Sequence, residues 1–377
     1  MDRERLPSLD FFRGATVMAM IVVNNPGTWG ATYSPLRHAA WNGCTPTDLI
    51  FPFFLFIVGV SIHFAYERKK TEGLSKRNFT RIIKRSVIIF ALGILMAWFT
   101  LPLERMADLE RLGTLRIPGV LQRIGVVFFF CSVIYLTTGW LTQIRLTAFL
   151  LLLYYLLMTF VPVPDFGPAN LEPGTNLAAW TDRLFLGGHL WSQSKTWDPE
   201  GILSTMPAVC TGLLGILTGQ LFDKIKNPAE RVTWIFLLGV CLFLAGLVWD
   251  LVFPINKSIW TSSYVLYAGG WAMQALAASH WLIDIRLHKS WIKPFLYFGL
   301  NAIFAFVASG IVAKILLRIT WQTTAGEIES LWNYLYQSAY GNWMESKMAS
   351  LGFSLTLLLV FYFILRWMYH RKIFIKI

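Results

Sequence analysis

Ten apolar runs of roughly membrane-spanning length limit what this 377-residue chain can fold into. A helix crossing a bilayer needs about 20 largely apolar residues, and inside hydrocarbon only helices and closed barrels satisfy their own backbone polar groups. The runs are Phe11–Asn24, Asp48–Tyr66, Ser86–Leu103, Ile117–Thr138, Leu146–Val161, Ile202–Phe222, Val232–Phe253, Trp260–Ile283, Phe295–Ile315 and Met348–Met368. They predict an all-α integral membrane protein, a bundle of about ten transmembrane helices forming one domain over residues 1–377. The first run has the length of a signal peptide. Acidic residues Asp2, Glu4 and Asp10 lead into it and no small-residue cleavage site follows, so it reads as a retained first span.

Only 14% of the residues are charged, against about 25% in an average soluble domain. The net charge of +12 is concentrated in the connections, as the positive-inside bias requires. No nucleic-acid partner is expected; membrane lipids are. With a cytoplasmic N-terminus and alternating spans, 22 basic residues fall on the cytoplasmic side and 10 outside, with Arg123 inside a span. Both termini are therefore expected in the cytoplasm. The outside connection carrying Arg105, Arg111 and Arg116 fits this least well.

Three of the four cysteines, Cys131, Cys210 and Cys241, lie in apolar runs as small packing residues. Cys44 also reads as packing. No CxxC spacing occurs and no metal is expected.

The stretch from Val22 to Ser61 concentrates the chemistry. Two apolar runs flank a loop with Asn24, His38, Trp41, Asn42 and Asp48. Polar groups beside hydrocarbon are costly and mark functional sites, and histidine suits proton transfer near neutral pH. On the second run, Asp48, Pro52, Leu55, Gly59 and His63 share one helical stripe. Asp48 is placed either to pack or to orient His38. His63 reads as a structural residue near the cytoplasmic end. Arg116 and Arg123 share a face, and Arg123 needs a carboxylate partner or an anionic ligand. Trp260, Tyr264, Tyr267, Trp271 and Gln274 recur at spacings of 4, 3, 4 and 3, and this face is expected to line a cavity rather than meet lipid. Asn301 is a lone intramembrane amide. Two long outside connections, Pro162–Gly201 and Leu316–Lys347, carry tryptophans that suit either the interfacial belt or stacking on a sugar, and the second has room for a short interfacial helix.

Several blocks together resemble the heparan-α-glucosaminide N-acetyltransferase family of transmembrane acyltransferases. They are Arg5-Leu-Pro-Ser-Leu-Asp-Phe-Phe-Arg-Gly14, the Val-Asn24 end, His38-Ala-Ala-Trp-Asn-Gly43 through Asp48-Leu-Ile-Phe-Pro, and Arg116-Ile-Pro-Gly-Val-Leu-Gln-Arg-Ile-Gly125. Asp198-Pro-Glu-Gly-Ile-Leu, Asn256-Lys-Ser-Ile-Trp-Thr-Ser-Ser-Tyr-Val265 and Pro294-Phe-Leu-Tyr-Phe-Gly-Leu-Asn-Ala-Ile303 complete the set, in family order across nearly the whole chain. The resemblance implies acetyl transfer from cytosolic acetyl-CoA to the amine of a glucosamine unit on the far side. It puts the catalytic histidine on His38 and a functional asparagine on Asn24. The chain starts at the family core, without the luminal region of the lysosomal enzyme, and the connection from Asn24 to His38 looks longer. A bacterial-type member of the inner membrane, acting on a smaller amino sugar, is expected. A homodimer follows only by analogy.

The residues support this chemistry. An ammonium cannot attack a thioester until it loses a proton, and a base titrating near working pH does this best. His38 is either that base or a transient acetyl carrier, with Asp48 fixing its tautomer. Asn24 and Asn42 are candidate oxyanion donors. Acceptor-binding candidates are Trp41, Asn42, Arg123, Asp198, Glu200, Asn256, Trp260, Tyr264 and Asn301. Arg13, Arg81, Lys84 and Arg85 are candidates for the phosphates of acetyl-CoA, although such a cluster also serves orientation and lipid headgroups. No glycine-rich phosphate loop is present. The alternative from another class is an amino-sugar transporter that modifies nothing, and a third is a non-catalytic scaffold.

Overall fold

The computed structural model describes residues 6–99, 113–324 and 326–375. Arg105 and Arg111 of the topology argument lie outside the described residues. The long helices are α1 (Pro7–Asn24), α2 (Ile50–Tyr66), α3 (Lys76–Trp98), α4 (Val120–Thr137), α5 (Trp140–Phe160), α7 (Thr205–Lys224), α8 (Pro228–Asp250), α9 (Ser262–Ser279) and α13 (Ser346–His370). Helix α11 (Ala302–Arg318) is as long as α2, and the short helices are α6 (Leu177–Leu186), α10 (Lys293–Leu300) and α12 (Leu331–Tyr336). A small antiparallel hairpin, β1 (Thr320–Gln322) with β2 (Ile328–Ser330), lies between α11 and α12.

All ten expected spans correspond to helices, but fewer have spanning character. Six of the described helices are long and apolar enough to cross a membrane, or seven if α10 and α11, bent 82° at Asn301, count as one broken span. The exact count of ten is not confirmed. Helices α1, α3 and α9 are at least 18 residues long but less apolar. The cause differs between them. More than half of α1 and α9 is buried against other helices, so they need no continuous lipid-facing surface, whereas α3 begins with Lys76, Arg77, Arg81, Lys84 and Arg85.

The core runs through α1, α2, α4, α7 and α9. Helix α2 lies against α7 at backbone contact. A Cβ added to Gly59 would sit 1.9 Å from the carbonyl oxygen of Gly212, and one on Gly215 would sit 2.0 Å from that of Phe56. Small residues let helices in a membrane pack this closely. Gly59→Val should therefore separate the two helices, costing at least the roughly 1–3 kcal/mol typical of overpacking. Size-exclusion of detergent-solubilised protein should show its monodisperse peak lost, while Gly139→Ala, with nothing within 4 Å of the added Cβ, should behave as wild type.

Outside the spans, residues 162–201 are ordered around α6. The Asp182 carboxylate accepts backbone N–H groups of Asp198 (3.1 Å) and Ile202 (2.9 Å), forming the turn that carries Glu200. Burial pushes its pKa up to about 6. The second long connection contains the hairpin and α12, and Trp332 of α12 donates to the carbonyl of Gly27 at 3.1 Å.

Candidate functional site

The residues Thr45-Pro46-Thr47-Asp48 fold as a capping box ahead of α2. The Asp48 backbone N–H donates to the Thr45 carbonyl at 3.0 Å, and the Asp48 carboxylate receives the backbone N–H of Thr45. Asp48 is thereby held by bonds local in the sequence. Its Oδ2 accepts Thr45 N, Thr45 Oγ1 and Ala39 N, each at 3.0 Å. Its Oδ1 lies 2.7 Å from His38 Nδ1. Asp48 is buried and the His38 side chain is 48% exposed, so the ring is held from behind with its other nitrogen accessible. Tyr264 secures the same point by donating its hydroxyl to the Asp48 carbonyl at 2.6 Å.

His38 and Asp48 open onto a cavity of about 450 Å³, which Asn24, Trp41, Arg116, Trp191, Trp197, Glu200 and Lys257 also line. Asn24, the last residue of α1, is exposed to it while Asn25 is buried and bonds back to the Ile21 carbonyl at 2.7 Å. Trp41 stacks edge-on against Trp197 at 5.1 Å, Trp197 meets Trp191 at 5.8 Å, and Trp41 donates to the Leu171 carbonyl at 3.0 Å. These indoles gather at one cavity wall.

Arg116 closes another wall. It binds Asp198 through two bonds (2.8 and 2.6 Å) and Glu200 through one at 2.5 Å. Burial opposes its charge, but the two carboxylates outweigh it and raise its pKa. Asp198 is thus occupied with Arg116, while Glu200 reaches the cavity lining.

Other sequence candidates support the site without lining this cavity. Asn256 is buried and donates to Asn42 Oδ1 at 3.1 Å, beside a backbone bridge between Gly43 and Asn256. This pair ties the histidine loop to the connection before α9. Trp260 donates to Thr211 Oγ1 at 3.2 Å, its ring meets Phe51 and Tyr264 edge-on, and Arg123 lies over it at 5.1 Å. Arg123 also donates to the Gly201 carbonyl at 3.1 Å and to Ser204. Arg123, Trp260 and Tyr264 form a packed layer behind the cavity. The expected aromatic face is divided: Tyr267 and Trp271 pack on Phe243 of α8 at 5.1 and 5.4 Å. None of the five residues of that face lines the cavity holding His38. Trp260 precedes α9 with a left-handed φ of 53°, so helical spacing does not extend to it.

The remaining candidates lie toward the other end of α1 and α2. Arg13 and Arg85 border a second cavity of about 290 Å³ together with Ser61, Ile303 and Ile375. Arg13 donates to Ser61 Oγ at 2.8 Å and pairs with Asp10 at 3.1 Å, and Arg85 lies over the Phe128 ring at 4.7 Å. Arg81 and Lys84 are exposed on α3 and do not line it. Asn301 sits at the bend between α10 and α11, where it bonds Ile373 O (3.2 Å) and Ile375 N (2.8 Å) of the C-terminal segment.

Sequence reasoning missed Lys257. Its Nζ lies 2.9 Å from His38 Nδ1, 3.4 Å from Nε2 and 3.5 Å from Asp48 Oδ1. Burial lowers its pKa, and the Asp48 charge works the other way. One in-plane position on Nδ1 cannot serve both neighbours. We assign the Nδ1 proton to Asp48, the anchored anion, with the lysine paired to the carboxylate alongside. Lys257 falls inside the quoted Asn256–Val265 block, which was its one sequence signal. Cys44 is close by, but burial pushes its thiol up to about 12, which leaves almost no nucleophilic thiolate at neutral pH.

This architecture defines a class: a helical membrane protein with a histidine–carboxylate pair at the mouth of a tryptophan-walled cavity. Sequence comparison places it further. The family model described as heparan-alpha-glucosaminide N-acetyltransferase, catalytic, matches residues 5–235, and the chain belongs to that family. It is similar to heparan-alpha-glucosaminide N-acetyltransferase of Mus musculus, 29% identical over 359 residues, covering 80% of this chain and 53% of the relative. The Homo sapiens protein of the same name is 30% identical over 356 residues, covering 80% and 52%. The chain spans about half the length of these relatives.

Proposed function

We propose that this protein transfers an acetyl group from acetyl-CoA to the amine of a glucosamine-type sugar. The observation that carries the reading is the His38–Asp48 pair opening, beside Asn24, onto the 450 Å³ cavity. With Nδ1–H given to Asp48, Nε2 keeps a lone pair for the acceptor's ammonium proton. The freed amine attacks the thioester carbon, charge develops on the carbonyl oxygen, and the tetrahedral intermediate expels CoA thiolate, which takes up the second proton shed by the attacking nitrogen. Asn24 donates to the developing oxyanion, and the indoles of Trp41, Trp191 and Trp197 offer faces to a sugar ring. Glu200 supplies an acceptor for sugar hydroxyls or the ammonium.

Acetyl-CoA enters from the end of α1 that bears Arg13, with Arg13 and Arg85 toward its phosphates. Arg13 and Asn24 are eleven residues apart on one helix, roughly 16 Å at 1.5 Å per residue. An extended thioester arm would bridge this path between the two cavities. The reading places both termini in the cytoplasm, the acceptor outside, and the protein in a bacterial inner membrane.

Purified protein incubated with acetyl-CoA and glucosamine should release free thiol in proportion to acceptor. Asn24→Ala should slow release about 10²–10³-fold if it supplies an oxyanion donor; a variant within twofold of wild type would remove Asn24 from that role. Lys257→Gln should slow thiol release, because it removes the cation that stands 3.5 Å from the Asp48 carboxylate holding the ring. A rate within twofold of wild type would leave Lys257 as a packing residue only.

A further inference from the structure

The opposite end of α2 carries a second cluster that acetyl transfer does not use. His63 is buried, and Glu67 follows it by four residues, at helical spacing, where α2 passes into the turn Glu67–Glu72. Asp223 is the next-to-last residue of α7. One donor atom from each of the three lies within 4.8 Å of the other two, and none of the residues is exposed. His63 Nε2 is 2.8 Å from Asp223 Oδ2. Its other nitrogen, Nδ1, is 3.0 Å from the hydroxyl of Tyr135 on α4.

We propose that His63, Glu67 and Asp223 form a divalent transition-metal site, with zinc as the cation that fits best, clipping α2 to α7 at the end of the bundle away from His38. Several features of the cluster support this. The donors are an imidazole and two carboxylates, a set that zinc accepts at about 2.0–2.2 Å, leaving one tetrahedral position for water. At that distance tetrahedral ligands stand about 3.4 Å apart, so seating an ion requires opening the His63–Asp223 contact by only about 0.6 Å. The Tyr135 contact supplies the outer support that ligating histidines have: an Nδ1–H donated to the phenol oxygen leaves the Nε2 lone pair pointing at the carboxylates. The Asp223 side chain is 26% exposed, so the site is open on one side to an entering ion and a water ligand.

Asp48 and His63 stand fifteen residues apart, about 22 Å along a helix. The ion would therefore hold the helix that carries the catalytic carboxylate without reaching the reaction. The sequence reading expected no metal because it searched for cysteine spacings. Two of these ligands stand four residues apart at the end of α2, the third comes from α7, and none is a cysteine.

The test is elemental analysis of protein purified in detergent through a histidine-free affinity tag, without chelator. About one equivalent of zinc per chain is expected, and apo protein should regain it from solution with a rise in its thermal midpoint that magnesium does not reproduce. Cobalt substitution should give visible absorption bands. Tyr135→Phe keeps every ligand and should weaken zinc binding about 10–100-fold in chelator competition. Glu67→Gln should weaken it further, and His63→Ala should abolish it. Should His63→Ala fail to fold, the wild-type and Tyr135→Phe titrations still decide. Wild-type protein with less than about a tenth of an equivalent, and no thermal response to added zinc, would overturn the proposal and leave a protonated His63–Asp223 ion pair. An equal response to magnesium would overturn the transition-metal assignment.

Discussion

Replacing His38 with alanine should reduce acetyl transfer by about 10²–10⁴-fold, the range that a positioned general base contributes. The loss should appear in turnover rather than in protein yield, because the ring is half exposed and its removal leaves no large void in the core. Asp48 keeps three of its hydrogen bonds without the imidazole, since Thr45 and Ala39 supply them. Thermal unfolding of His38→Ala should stay close to wild type. If the variant retains near-full thiol release at neutral pH, the proposed role of His38 is wrong.

Asp48→Asn should be at least as damaging to turnover, about 10⁴-fold by comparison with the loss of tautomer control in a catalytic triad. An amide cannot accept from both its atoms. If its nitrogen faces His38, Nδ1 becomes the acceptor, the ring proton moves to Nε2, and the base is lost. If its nitrogen faces the capping box, two N–H donors and a hydroxyl meet an N–H₂ group instead of an oxygen. Lys257 also loses its counter-charge. Unlike His38→Ala, this variant should therefore lose stability, by about 1–3 kcal/mol for each buried group left unsatisfied, read as a lowered thermal midpoint together with the lost rate. A fully active Asp48→Asn protein would show that the carboxylate serves only the cap.

How much of this was legible in the sequence depends on how local each feature is. His38 and Asp48 are ten residues apart, and the capping box that fixes Asp48 is written within four consecutive residues, so the pair could be proposed before any fold was known. Asn24 could be placed because it ends an apolar run. Lys257 is 219 residues from His38, and the wall formed by Trp41, Trp191 and Trp197 draws on two connections distant in the chain. Only helix packing brings them together. The aromatic spacing misled because a regular helix was assumed through Trp260, where the backbone turns left-handed before α9 begins. The exact count of ten crossings is not confirmed, six or seven of the described helices being long and apolar enough by composition. Hydropathy marks helices that face lipid, such as α8 with 17% of its best window buried, more readily than helices such as α1 that pack within the bundle.

Acetyl transfer and transport of an amino sugar differ in one product. Purified wild-type protein in proteoliposomes, given isotopically labelled acetyl-CoA on one side and glucosamine on the other, should yield labelled N-acetylglucosamine by mass spectrometry, with free CoA formed in equal amount. Glucosamine crossing the membrane unmodified, with acetyl-CoA left intact, would contradict the account.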